Sequence, residues 1–202
     1  MPATLNFFSV ADLMRAEMEE GFAMENHIDL NGATPRVTGS RWIRVTILIG
    51  AGFFIFALIL SAVFDPSIRL LHTLQALIYV AVIVLTRRDN AWGFGAGTII
   101  SAFWNYGNIF FTTFFRGGLE QFGVLLRTGQ LHRPDLMVAV IAVAGHLLLI
   151  GACLAGFLRL RPRAMQWGRF FAGGVLAVGY FMLIIATTGP QYIPLMKKIL
   201  HV

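Results

Sequence analysis

A single cysteine, Cys153, stands in a chain of 202 residues, which excludes an internal disulfide and a dithiol redox centre. Charge is almost as scarce, at 13% of residues against 57% hydrophobic, and the mean hydropathy is +0.72. That balance lies outside the soluble range and reads as an integral membrane protein. Apolar and polar residues do not alternate in the long runs, so a β-barrel is set aside. Those runs also lack the wide polar face that a soluble helical bundle needs.

What the chain does have is five uncharged stretches, 45–64, 70–86, 91–115, 136–158 and 170–190. Crossing hydrocarbon takes roughly 20 apolar residues at ~1.5 Å rise each. The expected fold class is therefore all-α, a polytopic membrane bundle of five transmembrane helices within residues 42–202. Gly189, Pro190 and Pro194 are expected to break the last helix near its end. The stretch 116–134 places Leu119, Phe122 and Leu126 on one helical face and is expected to form a short interfacial helix or to cover an opening.

Residues 1–41 read as a cytoplasmic polar tail. Within it, Ser9 followed by Asp12 makes a capping-box-like start, and Val10, Leu13, Met14 and Met18 share one face of a short amphipathic helix. Its polar face carries Asp12, Glu17, Glu19 and Glu20, which opposes an anionic lipid surface. A membrane or cytoplasmic protein partner, met through residues 9–25, or docking on the chain's own arginines is expected instead. The first ~30 residues show no secretory signal pattern.

Arginines and lysines near the span ends divide nine against six, Arg36, Arg41, Arg44, Arg87, Arg88, Arg159, Arg161, Arg163 and Arg169 against Arg69, Arg116, Arg127, Arg133, Lys197 and Lys198. This bias predicts a bacterial inner (plasma) membrane protein with its N-terminus cytoplasmic and its C-terminus outside. The net charge of +6 follows from that topology. With no soluble basic face, no nucleic-acid partner is expected.

The stretch "ISAFWNYGNIFF" carries the candidate chemistry. At ~100° per residue, Ser101, Asn105, Asn108 and Thr112 share a helical face. Trp92, Ile99, Phe103, Phe110 and Phe114 take the opposite face, which is expected to meet lipid. By depth along their helices, Asn105, Asn108, Gln75 and His146 are expected to meet. With Ser101, Thr112, Trp104 and Tyr79 they would bind a small polar or aromatic ligand. The competing reading is interhelical hydrogen bonding alone, at ~0.6–2 kcal/mol each.

No Asp, Glu, Lys or Arg lies inside a span, so an ion-coupled carboxylate relay has no candidate residue. The expected function is binding or passive transport of a small, largely uncharged molecule through an amide- and aromatic-lined cavity. The alternative is a non-catalytic accessory subunit of a larger membrane complex. No catalytic residue is expected: Ser101 with His146 would lack both a Gly-x-Ser-x-Gly elbow and an orienting carboxylate. No metal and no cofactor are expected either, since His72 and His146 stand ~13 Å apart along the bundle axis at ~1.5 Å per residue. Gly93 with Gly97, Ala152 with Gly156, and Gly173 with Ala177 follow the small-xxx-small spacing for close helix packing.

Two short resemblances accompany these readings. "AVAGHLLL" resembles the Ala-x-x-x-His segment that ligates pigment in bacterial light-harvesting polypeptides, which would make His146 an axial ligand. "TRRDNAWGFGAGTIISAFWNYG" resembles a segment of the PnuC-type vitamin-precursor transporters, through Arg88, Asn90, Trp92, Gly97 and Tyr106. That resemblance implies a facilitated carrier with an amide- and aromatic-lined pore. It covers about a tenth of the chain, and the family has more core spans than are counted here.

Overall fold

The computed structural model describes residues 41–160 and 164–200. The acidic tail and its expected amphipathic helix lie outside the described residues. Seven α-helices, and no strand, occur among the described residues: α1 (Arg41–Phe64), α2 (Arg69–Arg87), α3 (Ala91–Phe110), α4 (Phe114–Thr128), α5 (Pro134–Arg159), α6 (Trp167–Thr188) and α7 (Ile193–Leu200). A 3-10 turn over Pro66–Ile68 leads into α2, and another over Pro190–Tyr192 separates α6 from α7.

Four segments are long and apolar enough to cross a membrane: Arg41–Phe64, Pro66–Arg87, Pro134–Arg159 and Trp167–Thr188. The third expected span does not reach residue 115. Helix α3 stops at Phe110, where the Thr112 hydroxyl turns back onto the Asn108 carbonyl at 2.8 Å, and α4 starts afresh at Phe114. Two asparagines, a serine and four glycines also dilute the apolar character of α3. Near Gly189 and Pro190 the last long helix does break, with α7 beyond it.

Local chemistry sets the corners. After α2 the amides of Asp89 and Asn90 bond back to the carbonyls of Thr86 and Leu85, a Schellman closure that puts Asp89 at φ +49°. Aspartate tolerates that left-handed position, and here its carboxylate also accepts from Arg44 Nη2 at 2.9 Å, tying α1 to the α2–α3 corner. Asn90 then caps α3 by accepting from the Trp92 amide at 3.0 Å. Helix α4 ends on Gly129 at φ +68°, and α5 begins with Pro134 in its first turn, where a missing amide costs nothing.

Helix α3 is the central element, packed against α2, α5 and α6. The face opposite its amides is therefore not free, contrary to expectation. Phe103 meets Phe181 ring to ring at 6.2 Å, Ile99 lies against Gly174, and the Trp92 backbone lies against Gly173, so α6 covers that side. Phe110 and Phe114 are the exposed members of the set. Backbones approach most closely where both partners lack a side chain. A Cβ at Gly50 would sit 2.8 Å from the Gly145 carbonyl oxygen, and one at Gly145 2.7 Å from that of Gly50, which fixes the α1–α5 crossing. The outside of the bundle carries exposed Phe53, Phe56, Ile59, Leu77, Val80, Leu147, Val175, Leu176 and Leu183.

Candidate ligand cavity

Half-way along the bundle a polar layer crosses the interior. His146 on α5 is fully buried, with Tyr79 hydroxyl 2.7 Å from Nε2 and Asn105 Oδ1 3.2 Å from Nδ1. An amide oxygen can only accept, so Nδ1 carries the proton and Nε2 accepts from the Tyr79 hydroxyl. The imidazole is stacked on Phe54 at 3.9 Å and met edge-on by Trp104 at 4.9 Å. Three helices thus contribute one directed chain of bonds, and a fourth supplies the ring that supports it.

This geometry decides between several readings of His146. Both ring nitrogens are engaged, so no lone pair is free for a pigment or haem iron, contrary to the light-harvesting resemblance. Ser101 is buried one turn from Asn105, but its hydroxyl has no partner and no bond joins it to His146. His72 points its Nδ1 at the Leu58 carbonyl at 3.1 Å. Among the described residues no group of three His, Cys, Asp or Glu could hold a metal ion.

Beyond the polar layer, toward Asp65, the helices part around a cavity of about 570 Å³. Phe54, Trp104, Phe103 and Phe181 line it deep down, and Phe64, Phe114, Asp65, Asp135 and Tyr192 nearer the end of the bundle. Its polar groups include Gln75, Asn108, Thr112, Ser61 and His72, and none of its lining residues is Arg or Lys. It draws no residue from 76–102 or 143–180, so it occupies one half of the bundle only. Leu195, Met196 and Ile199 of α7 close part of it. Asn108 is 7% exposed, its Oδ1 lies 2.9 Å from the Thr112 hydroxyl, and its Nδ2 is buried without a partner. An unpaired buried amide costs roughly 1–3 kcal/mol, a cost that a ligand's acceptor would remove.

The expected four-residue cluster is therefore two groups. Asn105 and His146 are bonded together with Tyr79, whereas Asn108 and Gln75 line the cavity with Thr112, and no hydrogen bond links the two. Trp104 belongs to both, as cavity wall and as a ring on His146. The small residues Gly93, Gly97, Ala152, Gly156, Gly173 and Ala177 are all buried, away from the cavity: Gly97 lies on Cys153, Gly156 on Phe94 and Gly173 on the Trp92 carbonyl. Asn90 and Arg88, which carry part of the transporter resemblance, sit at the α2–α3 corner and do not line the cavity.

Two participants went unread in the sequence. Phe54, Ala57, Leu58 and Ser61 form a lining stripe at helical spacing, but α1 has no amide or histidine to draw attention to it. Asp65 falls in a turn rather than a span, where polar residues are unremarkable. No family model matches the chain, and neither a curated protein nor a solved structure matches it.

Proposed function

We propose that this is a multi-pass inner-membrane protein that binds a small, largely uncharged molecule in the cavity between α1, α2, α3, α5 and α6. Passive transport of that molecule would then require the Tyr79–His146–Asn105 layer to open. The observation that carries the reading is the partnerless, buried Asn108 Nδ2 on a 570 Å³ cavity with aromatic walls. Asn105 Nδ2 and the Ser101 hydroxyl are also partnerless, but only the Asn108 donor borders the void, which interhelical glue alone would not leave.

The reading takes α3 as a fifth crossing, carried by neighbours that cover its amides on the inside. The exposed apolar residues around the bundle then face lipid. The basic residues at the Arg44 end put that end in the cytoplasm, and the cavity opens away from it. The chain is proposed to be a binder or carrier rather than an enzyme.

Saturable binding of naphthylmethanol to the purified protein in neutral detergent, measured by equilibrium dialysis, tests the reading. Asn108→Leu should abolish binding while the protein keeps its melting temperature. Asn105→Leu, which cuts the polar layer instead, should lower stability first. Equal binding by wild type and Asn108→Leu would sink the cavity reading.

A further inference from the structure

The charges around the cavity are one-sided in a way that the net charge of the chain does not suggest. Lysine and arginine outnumber acids by 16 to 10 overall, yet neither lines the cavity, whose one titratable nitrogen base is His72, while two carboxylates do. Asp135 is neutralised by a two-pronged pairing with Arg133, at 3.0 and 2.7 Å. Asp65 forms no salt bridge among the described residues; the base that faces it is His72, whose Nδ1 is turned to the Leu58 carbonyl at 3.1 Å. Asp65 Oδ1 accepts from the Ser67 amide at 3.0 Å and hydroxyl at 2.6 Å, which holds the carboxyl below the usual carboxylate range and therefore ionised at neutral pH. Lys198, on the helix that closes part of the cavity, lies 6.0 Å from the Phe111 ring centroid, itself outside the lining.

At the Asp65 end the lining is aromatic, with Phe64, Phe114 and Tyr192, and partial burial, with the nearby carboxylate adding to it, raises the pKa of the Tyr192 hydroxyl. Ring faces attract cations and repel anions. Deeper in, past the idle Asn108 amide, Phe54, Trp104 and Phe103 offer an apolar slot. We infer that the cavity selects by charge sign, taking an amphipathic organic cation with its positive head between Asp65 and the Phe64, Phe114 and Tyr192 rings and its aromatic body against Trp104 and Phe54. This rests on the binding reading above and adds the head group to it: a delocalised or quaternary ammonium, which needs no hydrogen-bond acceptor at the head.

Three probes of one shape and different charge test it: naphthylmethyltrimethylammonium, naphthylmethanol and naphthylacetate, each dialysed against the full chain in neutral detergent. The cation should bind about three- to tenfold more tightly than the alcohol, the range expected for a partly exposed carboxylate plus a cation–π contact, and the anion more weakly than both. Asp65→Asn, at an exposed position where an amide oxygen can still accept from Ser67, should erase the cation's advantage over the alcohol. Tyr192→Leu should lower the cation's affinity more than the alcohol's. Saturable alcohol binding with no preference for the cation, or a preference untouched by Asp65→Asn, overturns the charge selection while leaving the cavity reading in place. Failure of all three probes to saturate overturns both.

Discussion

Toward the Arg44 end and toward the Asp65 end, the same helices pack in opposite ways. In the first half, glycines let backbones touch: a methyl on Gly95 would run into the Phe170 carbonyl, and one on Gly173 into that of Trp92. In the second half, Phe103, Trp104, Phe181 and Met196 keep the helices apart, and the space between them stays open. The Tyr79–His146–Asn105 layer lies at the boundary. Small residues at a crossing trade side-chain volume for backbone contact. Large ones that fail to interdigitate leave room for a ligand.

The sharpest way to break this contrast is to add volume on each side. Gly95→Ala should cost about 2–3 kcal/mol or more, because the obstacle is backbone and cannot swing aside. Ala139→Leu, which fills cavity space, should cost less than about 1 kcal/mol while blocking naphthylmethanol. Denaturant titration in detergent compares the two. Similar losses from both variants would erase the distinction between a packed half and an open one.

Next in size is the boundary. Tyr79→Phe removes the hydroxyl and leaves His146 Nε2 buried without a donor, an expected loss of about 1–3 kcal/mol in the same titration. Asn108→Leu should lie within about 0.5 kcal/mol of wild type, since the amide nitrogen it removes has no partner and the Thr112 hydroxyl, released from Oδ1, keeps its bond to the Asn108 carbonyl. A reversed order of these two would mean that the layer is not what holds the halves together.

How much of this was legible beforehand follows from the same contrast. The helices and the inward turn of Asn105, Asn108, Gln75 and His146 were readable, because apolar run length and a helical polar stripe are local signals. The separation into a bonded layer and a cavity was not, because it depends on which amide meets a partner from another helix. Tyr79 is expected from the sequence to meet a ligand, yet its hydroxyl binds His146. The covering of α3 by α6 was equally hidden, since Phe103 and Ile99 look the same in sequence whether they meet lipid or Phe181 and Gly174.

Smaller effects belong to the two ends. At the Arg44 end, Asp89→Ala should cost about 1 kcal/mol, combining a screened ion pair with a left-handed backbone position. Asp89→Gly should cost less, because glycine relaxes the backbone while losing only the pair. Thermal melts that rank glycine below alanine would contradict this. At the Asp65 end, the carboxyl ionises more readily in the fold than in the unfolded chain, so its stabilisation is complete above about pH 4. As pH falls through its lowered folded value that stabilisation fades, and the melting temperatures of wild type and Asp65→Ala should converge. A gap that widened on acidification would mean that the Ser67 bonds do not favour the charged form.

The contrast between the halves is tested most directly by cysteine accessibility in sealed vesicles of known orientation, with the buried native Cys153 replaced by serine. Methanethiosulfonate ethyltrimethylammonium, added on the side of the Asp65 end, should modify Asn108→Cys. Ser101→Cys, two turns deeper and beyond the polar layer, should stay unmodified. Equal reactivity at both positions, or none at either, would contradict a protein that is packed in one half and open to a ligand in the other.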